Sequence, residues 1–369
     1  MATDRPRLDT PFSLYLDVVR FVAAVLVLLT HYRQYGLVSG AAARWVPMAG
    51  HEAVIVFFVL SGFVIALATL SKHVSPRDYA VARITRIYSV ALPVVLLAFA
   101  CAAVIEHLFG PGLAPSHMLA KAYIYVPLHL LFLGNSWQLS EVPPWLMPYW
   151  SLNFEVWYYI LFGVLCFLRG WRRVLGAAVV LAVMGYQTWL LLPAWAAGVW
   201  LYRWLGRHTM PRTAARMGWL ASMVALVACH FLDLESRMQA VVGSLWPFPP
   251  SALSGNDRFL GDYLVCALVV INFACARHAA FGVLERWTAL IRRLSFYTFP
   301  LYLCHALVLG IWRSFHPLMD GGAADILSVS AVIVAFTWAL GRGAETLRLA
   351  ALAWSAREQA TLHAIPRKY

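Results

Sequence analysis

The sequence predicts an all-α fold, a polytopic transmembrane helical bundle of about ten spans with both termini cytosolic. Three observations predict it. Apolar residues make up 62% of the chain and charged residues only 12%, against roughly a quarter charged in an average soluble domain. Apolar runs near the roughly 20 residues needed to cross the hydrocarbon recur from end to end. The charges collect in the short loops between those runs.

Spans are expected at about 13–33, 50–70, 87–106, 148–168, 174–190, 192–206, 216–233, 260–276, 295–314 and 323–341. Asp17 and Arg20 interrupt the first run, and the faint Ala41–Ala43 cleavage-like pattern lies well beyond its end. It therefore reads as a retained helix and not a signal peptide. The sixth run is short for a span. Residues 119–135 are apolar enough to tempt, yet a span there would put Arg169, Arg172 and Arg173 on the outer side. The stretch 107–147, with five prolines and the aromatics Tyr123, Tyr125, Trp137 and Trp145, is instead expected to lie outside, as a re-entrant or interfacial segment. Residues 1–345 form a single transmembrane domain in this reading, and 346–369 a cytosolic tail.

Orientation rests on Lys and Arg. With the N-terminus inside, 22 of the 29 fall on inner segments, among them Arg5, Arg7, Lys72, Arg367 and Lys368. Six fall outside (Arg33, Arg44, Lys121, Arg237, Arg258 and Arg313), and Arg20 lies within a helix. The reverse orientation inverts this ratio and is rejected.

The net charge of +12 does not point to nucleic acid, because the basic residues form no continuous aromatic-interleaved surface. Of the basic residues 26 are Arg and three are Lys, a bias that suits membrane anchoring or a phosphorylated ligand. Six cysteines all fall in apolar runs without CxxC spacing, so neither disulfides nor a metal site is expected.

Ionisable side chains inside spans are costly and mark candidate function. The first helix carries Asp17, Arg20 and His31. Arg20 and His31 share a helical face about 16 Å apart. Asp17 lies one turn before Arg20, at ion-pairing distance, and simple pairing there is an equally good reading.

Five short motifs follow in order: Leu16-Asp17-Val18-Val19-Arg20 with His31, Phe57-Phe58-Val59-Leu60-Ser61-Gly62-Phe63, Arg83-Ile84-Thr85-Arg86, Trp150-Ser151-Leu152-Asn153-Phe154-Glu155 with Trp157-Tyr158-Tyr159, and Leu301-Tyr302-Leu303-Cys304-His305. Together they resemble the integral-membrane acyltransferase-3 family, bacterial O-acyltransferases of surface glycans. Each alone is weak; five in register are specific. Three departures stand out: Ser89 where a proline usually follows the RxxR stretch, Phe299 for a common tyrosine, and Glu345-Thr346-Leu347 without the closing proline. The last puts Glu345 in doubt as a functional residue.

The resemblance implies ten helices in the bacterial cytoplasmic membrane. It implies acyl-coenzyme A, acetyl first, as donor, and as acceptor a hydroxyl of an extracytoplasmic polysaccharide, lipid-linked glycan or similar molecule. No metal is expected, the partners are donor, glycan acceptor and bilayer, and homo-oligomers are left open. Depth along the spans suggests that His31 and Glu155 meet near the outer boundary as a His–carboxylate base. Arg83 and Arg86, one turn apart at the inner mouth, suit the phosphates of the donor as well as ordinary anchoring. Arg20 is placed to hold the donor arm or polarise its carbonyl.

The remaining candidates at a substrate site are Trp150, Tyr158, Ser61, His305 and Asp17. Each has a plainer reading: interface belt for Trp150 and Tyr158, close helix packing for Ser61-Gly62, a core histidine for His305. The rival function is a transporter or flippase of a small anionic or glycolipid substrate. Against it stands the lack of an internal repeat or paired broken helices.

Overall fold

The computed structural model describes residues 10–71, 74–245, 258–316 and 322–364. Arg5, Arg7, Lys72, Arg367 and Lys368, and with them the two chain ends, lie outside the described residues. Most of the described residues are helical, and no strand occurs among them. In order they are α1 (Thr10–Gln34), α2 (Gly40–Ala43), α3 (Gly50–Leu70), α4 (Pro76–Phe109), α5 (Ser116–Ala120), α6 (Ala122–Leu130) and α7 (Tyr149–Phe167). There follow α8 (Gly170–Met184), α9 (Tyr186–Leu205), α10 (Arg212–Phe231), α11 (Leu234–Leu245), α12 (Phe259–Ala279), α13 (Thr288–Phe315) and α14 (Ala323–Ala364). The chain is a polytopic helical membrane bundle.

Among the described residues eight helices are each long and apolar enough to cross a bilayer: α1, α3, α4, α7, α10, α12, α13 and α14. The helices α8 and α9 reach that standard only as a pair, bent by 119°. Taken as one span, the pair makes nine among the described residues, one short of the expected ten. The break falls at Gly185, not at 191 as the hydropathy suggested. Gly185 has φ +76°, a left-handed conformation that suits glycine, and a side chain there would run into the Trp137 backbone.

Two other boundaries move. α4 begins eleven residues before the expected start at 87, because Ser75 caps it by accepting from the Asp78 amide at 3.1 Å and Pro76 opens its first turn. α14 runs unbroken to Ala364, so the expected division between domain and tail at 345 falls inside a helix.

Side-chain contacts fix which ends lie together. Phe12 at the start of α1 packs edge-on against Phe63 in the second half of α3, and Gly50 at the start of α3 sits on Thr30 toward the end of α1. The two helices are therefore antiparallel. Asp17 binds Arg292 while His31 binds His305, so α1 and α13 run parallel. Tyr79 at the start of α4 donates to the Tyr159 carbonyl at 2.8 Å and packs edge-on against Phe167, the last residue of α7. One face of the bundle thus gathers the starts of α1, α4 and α13 and the ends of α3 and α7. Arg77, Arg83, Arg292 and Arg293 lie on the helix ends at this face.

The tightest helix pair is α3 against α9. A Cβ at Gly62 would overlap the Trp195 carbonyl, and one at Gly198 the Val59 carbonyl, so backbone meets backbone. On the opposite face, residues 110–148 hold no helix of spanning length. They fold back over α4 and α7: Tyr88, Tyr149 and Trp157 donate to the carbonyls of Leu130, His129 and Phe132 at 2.7, 2.9 and 2.9 Å. Burial pushes the His129 imidazole in this segment down to about 4, so it packs as a neutral ring against Phe99 and Tyr149.

Candidate active site

A cavity of about 410 Å³ enters the bundle at the face where the basic helix ends gather. Its mouth is marked by Arg292 and Arg348, whose side chains are 46% and 43% exposed. Inside, α1 contributes Asp17 and Arg20, α3 Ser61, α4 Arg86, and α7 Ser151, Glu155 and Tyr159. On α13 the lining runs from Arg292 to Tyr302, a rise of about 15 Å.

Four guanidiniums (Arg20, Arg86, Arg292, Arg348) face three carboxylates (Asp17, Glu155, Glu345) in this space. Asp17 is the most heavily engaged. It accepts from Arg292, from Arg20 at 3.3 Å and from the Ser295 hydroxyl at 2.7 Å. Arg348 lies 3.4 Å from Glu345. Arg86 makes no ion pair among the described residues, and the guanidiniums lining the cavity outnumber its carboxylates by one.

The expected Asp17–Arg20 pair is formed. The expected meeting of His31 with Glu155 is not. Glu155 accepts from the Ser61 hydroxyl at 2.5 Å and from the Tyr159 hydroxyl, and its charge acts on Arg20. It lies six residues into α7 and so at the level of Ser61, eleven residues into α3, well below the end of α1. Ser61 also accepts from the Trp195 indole at 3.2 Å, so its hydroxyl is held in a network while its neighbour Gly62 serves the packing.

His31 instead has His305 as partner. Nδ1 of His31 lies 2.8 Å from Nε2 of His305, both rings are buried, and their centroids are 4.9 Å apart. Nδ1 of His305 lies 2.8 Å from the Leu301 carbonyl, which only accepts. That nitrogen carries the proton, so Nε2 of a neutral His305 is an acceptor and Nδ1 of His31 must donate to it. The remaining nitrogen of His31, Nε2, is left with its lone pair. The dyad begins one turn past Tyr302, the last α13 residue of the cavity wall, and Tyr302 is hydrogen-bonded to Ser151 at 2.6 Å.

Other candidates are dispersed. Arg83 is not in the cavity wall; its guanidinium lies over the Tyr159 ring at 5.8 Å. Trp150 is half-buried with one face against His51, whose imidazole binds Asp262 at 2.8 Å. Tyr158 does not face the cavity. It is fully buried between Phe58, Phe154 and Trp195 and donates to the Thr188 carbonyl at 2.7 Å, so it belongs to the core. Among the polar cavity residues not picked out from the sequence are Ser295, Thr298, Tyr302, Ser151 and Arg348. Tyr302 stood inside a recognised motif; Arg348 was hidden by the expected end of the last span. No group of three metal-ligating side chains occurs among the described residues.

Over residues 13–342 the sequence matches the family Acyl_transf_3, an acyltransferase domain. The chain belongs to this family. It is thus a multi-pass membrane protein of the acyltransferases, and the five motifs resembling acyltransferase-3 all lie inside the matched region. The chain is also similar to the exopolysaccharide production protein ExoZ of Rhizobium meliloti (strain 1021), with 32% identity over 138 residues. That stretch is 37% of this chain and 40% of ExoZ, less than half of either. No solved structure matches the chain.

Proposed function

We propose that this acyltransferase moves an acyl group, acetyl foremost, from cytosolic acyl-coenzyme A to a hydroxyl of an extracytoplasmic carbohydrate. The observation that carries the reading is the succession along α1 and α13. A cavity with an unpaired guanidinium, Arg86, leads to within one turn of a histidine dyad whose outermost lone pair is free. Such an arrangement suits a phosphorylated donor at one end and a proton-accepting base at the other. Family membership supports the acyl transfer, and the likeness to an exopolysaccharide production protein supports a polysaccharide acceptor.

In this reading the donor phosphates sit at Arg86, with Arg83 and Arg348 nearby at the mouth. The thioester arm lies along the cavity past Arg20 and Glu155. Nε2 of His31 takes the proton of the acceptor hydroxyl as its oxygen attacks the thioester carbon. The carbon–sulfur bond breaks and the coenzyme leaves as thiolate, to be protonated to the free thiol. Arg20 stands where developing negative charge on a donor oxygen is stabilised without reorganisation. The N-terminal ends of α1 and α13 face the cytosol, and residues 107–147 lie outside.

Purified protein supplied with acetyl-coenzyme A should release free thiol at a rate that rises on addition of an exopolysaccharide acceptor. Thiol release indifferent to every glycan supplied, or none at all, contradicts the proposal.

A further inference from the structure

A second, larger hollow of about 970 Å³ lies on the other side of α1 from the cavity, between α1, α3 and the α10–α12 group. Its walls are apolar: Val22 and Leu26 of α1, Met223 and Val227 of α10, Val265 and Val269 of α12. Val22, Met223 and Val227 are exposed, so the hollow opens sideways toward the membrane core. On α1 it extends from Tyr15 to Arg33, a rise of about 27 Å.

One end is chemically different. Arg33 and Arg44 line it together with a single carboxylate, Glu52, whose Oε1 lies 3.4 Å from His230. Arg33 reaches the Val46 carbonyl at 3.3 Å, and neither arginine is ion-paired among the described residues. Two guanidiniums free of ion pairs, outnumbering the one carboxylate beside them at the head of an apolar groove, complement an anion attached to a long hydrocarbon chain. Two further features narrow the occupant. The groove covers nearly the full hydrocarbon thickness of about 30 Å, whereas the chain of an ordinary diacyl lipid fills one leaflet, about half of that. Arg33 is two residues past His31 on the opposite side of α1, so a headgroup held there lies within about 3 Å of the dyad's depth.

We propose that this groove binds the lipid anchor of the acceptor: a long-chain isoprenoid phosphate, with its phosphate at Arg33 and Arg44 and its chain along Val22, Leu26 and Val269. This rests on the acyltransferase reading for the role of the bound lipid, though not for its binding. The attached sugar is then presented across the end of α1 to His31.

The test is binding of geranylgeranyl phosphate to the purified protein in nanodiscs, with geranylgeraniol, dioleoyl phosphatidate and inorganic phosphate as comparisons. Geranylgeranyl phosphate should bind saturably, and the alcohol and inorganic phosphate about tenfold more weakly or worse. Arg33→Ala with Arg44→Ala should weaken it by about tenfold or more. Val22→Trp should block it, and Leu26→Trp gives an independent occlusion should the first variant fail to fold. Equal binding of the alcohol, equal binding of phosphatidate, or indifference to the double arginine change overturns the proposal. Glycan-dependent thiol release from acetyl-coenzyme A without isoprenoid phosphate binding overturns the groove alone. Isoprenoid phosphate binding in a protein that releases no thiol with any acceptor overturns the acceptor role and the acyltransferase reading instead.

Discussion

His31 and His305 share one proton across 2.8 Å, and the Leu301 carbonyl decides its direction. Because Leu301 claims the Nδ1 proton of His305, His305 accepts from His31 and fixes the tautomer of the outer imidazole. On the proposed mechanism this makes His305 a positioning residue for His31. His305→Ala should lower kcat by about 10- to 100-fold, the range seen when the partner that orients a metal-bound imidazole is lost. KM for the donor should hardly move. His305→Gln places an amide near the Nε2 position and should recover part of the loss. Equal defects in both variants, with donor binding also lost, would mean that His305 serves only the packing.

The donor end makes a graded expectation. Arg86 lines the cavity without an ion pair, while Arg83 is stacked over Tyr159 outside the wall. Arg86→Ala should weaken coenzyme A binding by about 1.5–3 kcal/mol, the worth of a charge-assisted contact. Arg83→Ala should weaken it less. Calorimetric titration of both variants checks the order. Unchanged affinity in Arg86→Ala returns this residue to simple membrane anchoring.

Gly62 and Gly198 carry the α3–α9 contact, and each faces a carbonyl of the other helix at a distance no Cβ allows. Gly62→Ala and Gly198→Ala should each destabilise by at least the roughly 1–3 kcal/mol typical of overpacking, because backbone cannot yield as a side chain does. Gly343→Ala on α14 meets nothing within 4 Å and should be neutral or stabilising by up to about 1 kcal/mol. Thermal unfolding in detergent compares the three. Equal melting of all three would show that α3 and α9 are less closely packed than described.

The 22-to-six division of basic residues predicts a cytosolic N-terminus and an outer face formed by residues 107–147. A cysteine introduced at Ser140 should react with a membrane-impermeant thiol reagent added to intact cells. Reaction only after the membrane is opened would reverse the bundle and move the donor mouth to the other side.

What the sequence made legible divides by range. Helices and the Asp17–Arg20 pair follow from hydropathy and from residues one turn apart, both local quantities. His31 and His305 are 274 positions apart and Asp17 and Arg292 275, so their pairing depends on which helices are neighbours, and no local pattern carries that. Depth alone suggested Glu155 as the partner of His31. Depth is one coordinate, and the helix that turns its face to His31 proved to be α13, while α3 and α4 enclose Glu155. Tyr158 failed for a related reason: its neighbour Tyr159 points into the cavity, and a step of one residue turns a helical side chain by about 100°. Gly185 was readable in principle, but hydropathy averaging smooths over a single breaker between two apolar arms.

The most direct measurement is made on His31→Ala, with acetyl-coenzyme A binding and glycan acetylation determined on the same purified preparation. The expected result is near-native donor binding, since His31 lies outside the donor cavity, with acetylation reduced by about 100- to 10,000-fold, the usual contribution of a general base. Acetylation at the parental rate by a folded, donor-binding His31→Ala protein would contradict the central claim and remove the dyad from the chemistry.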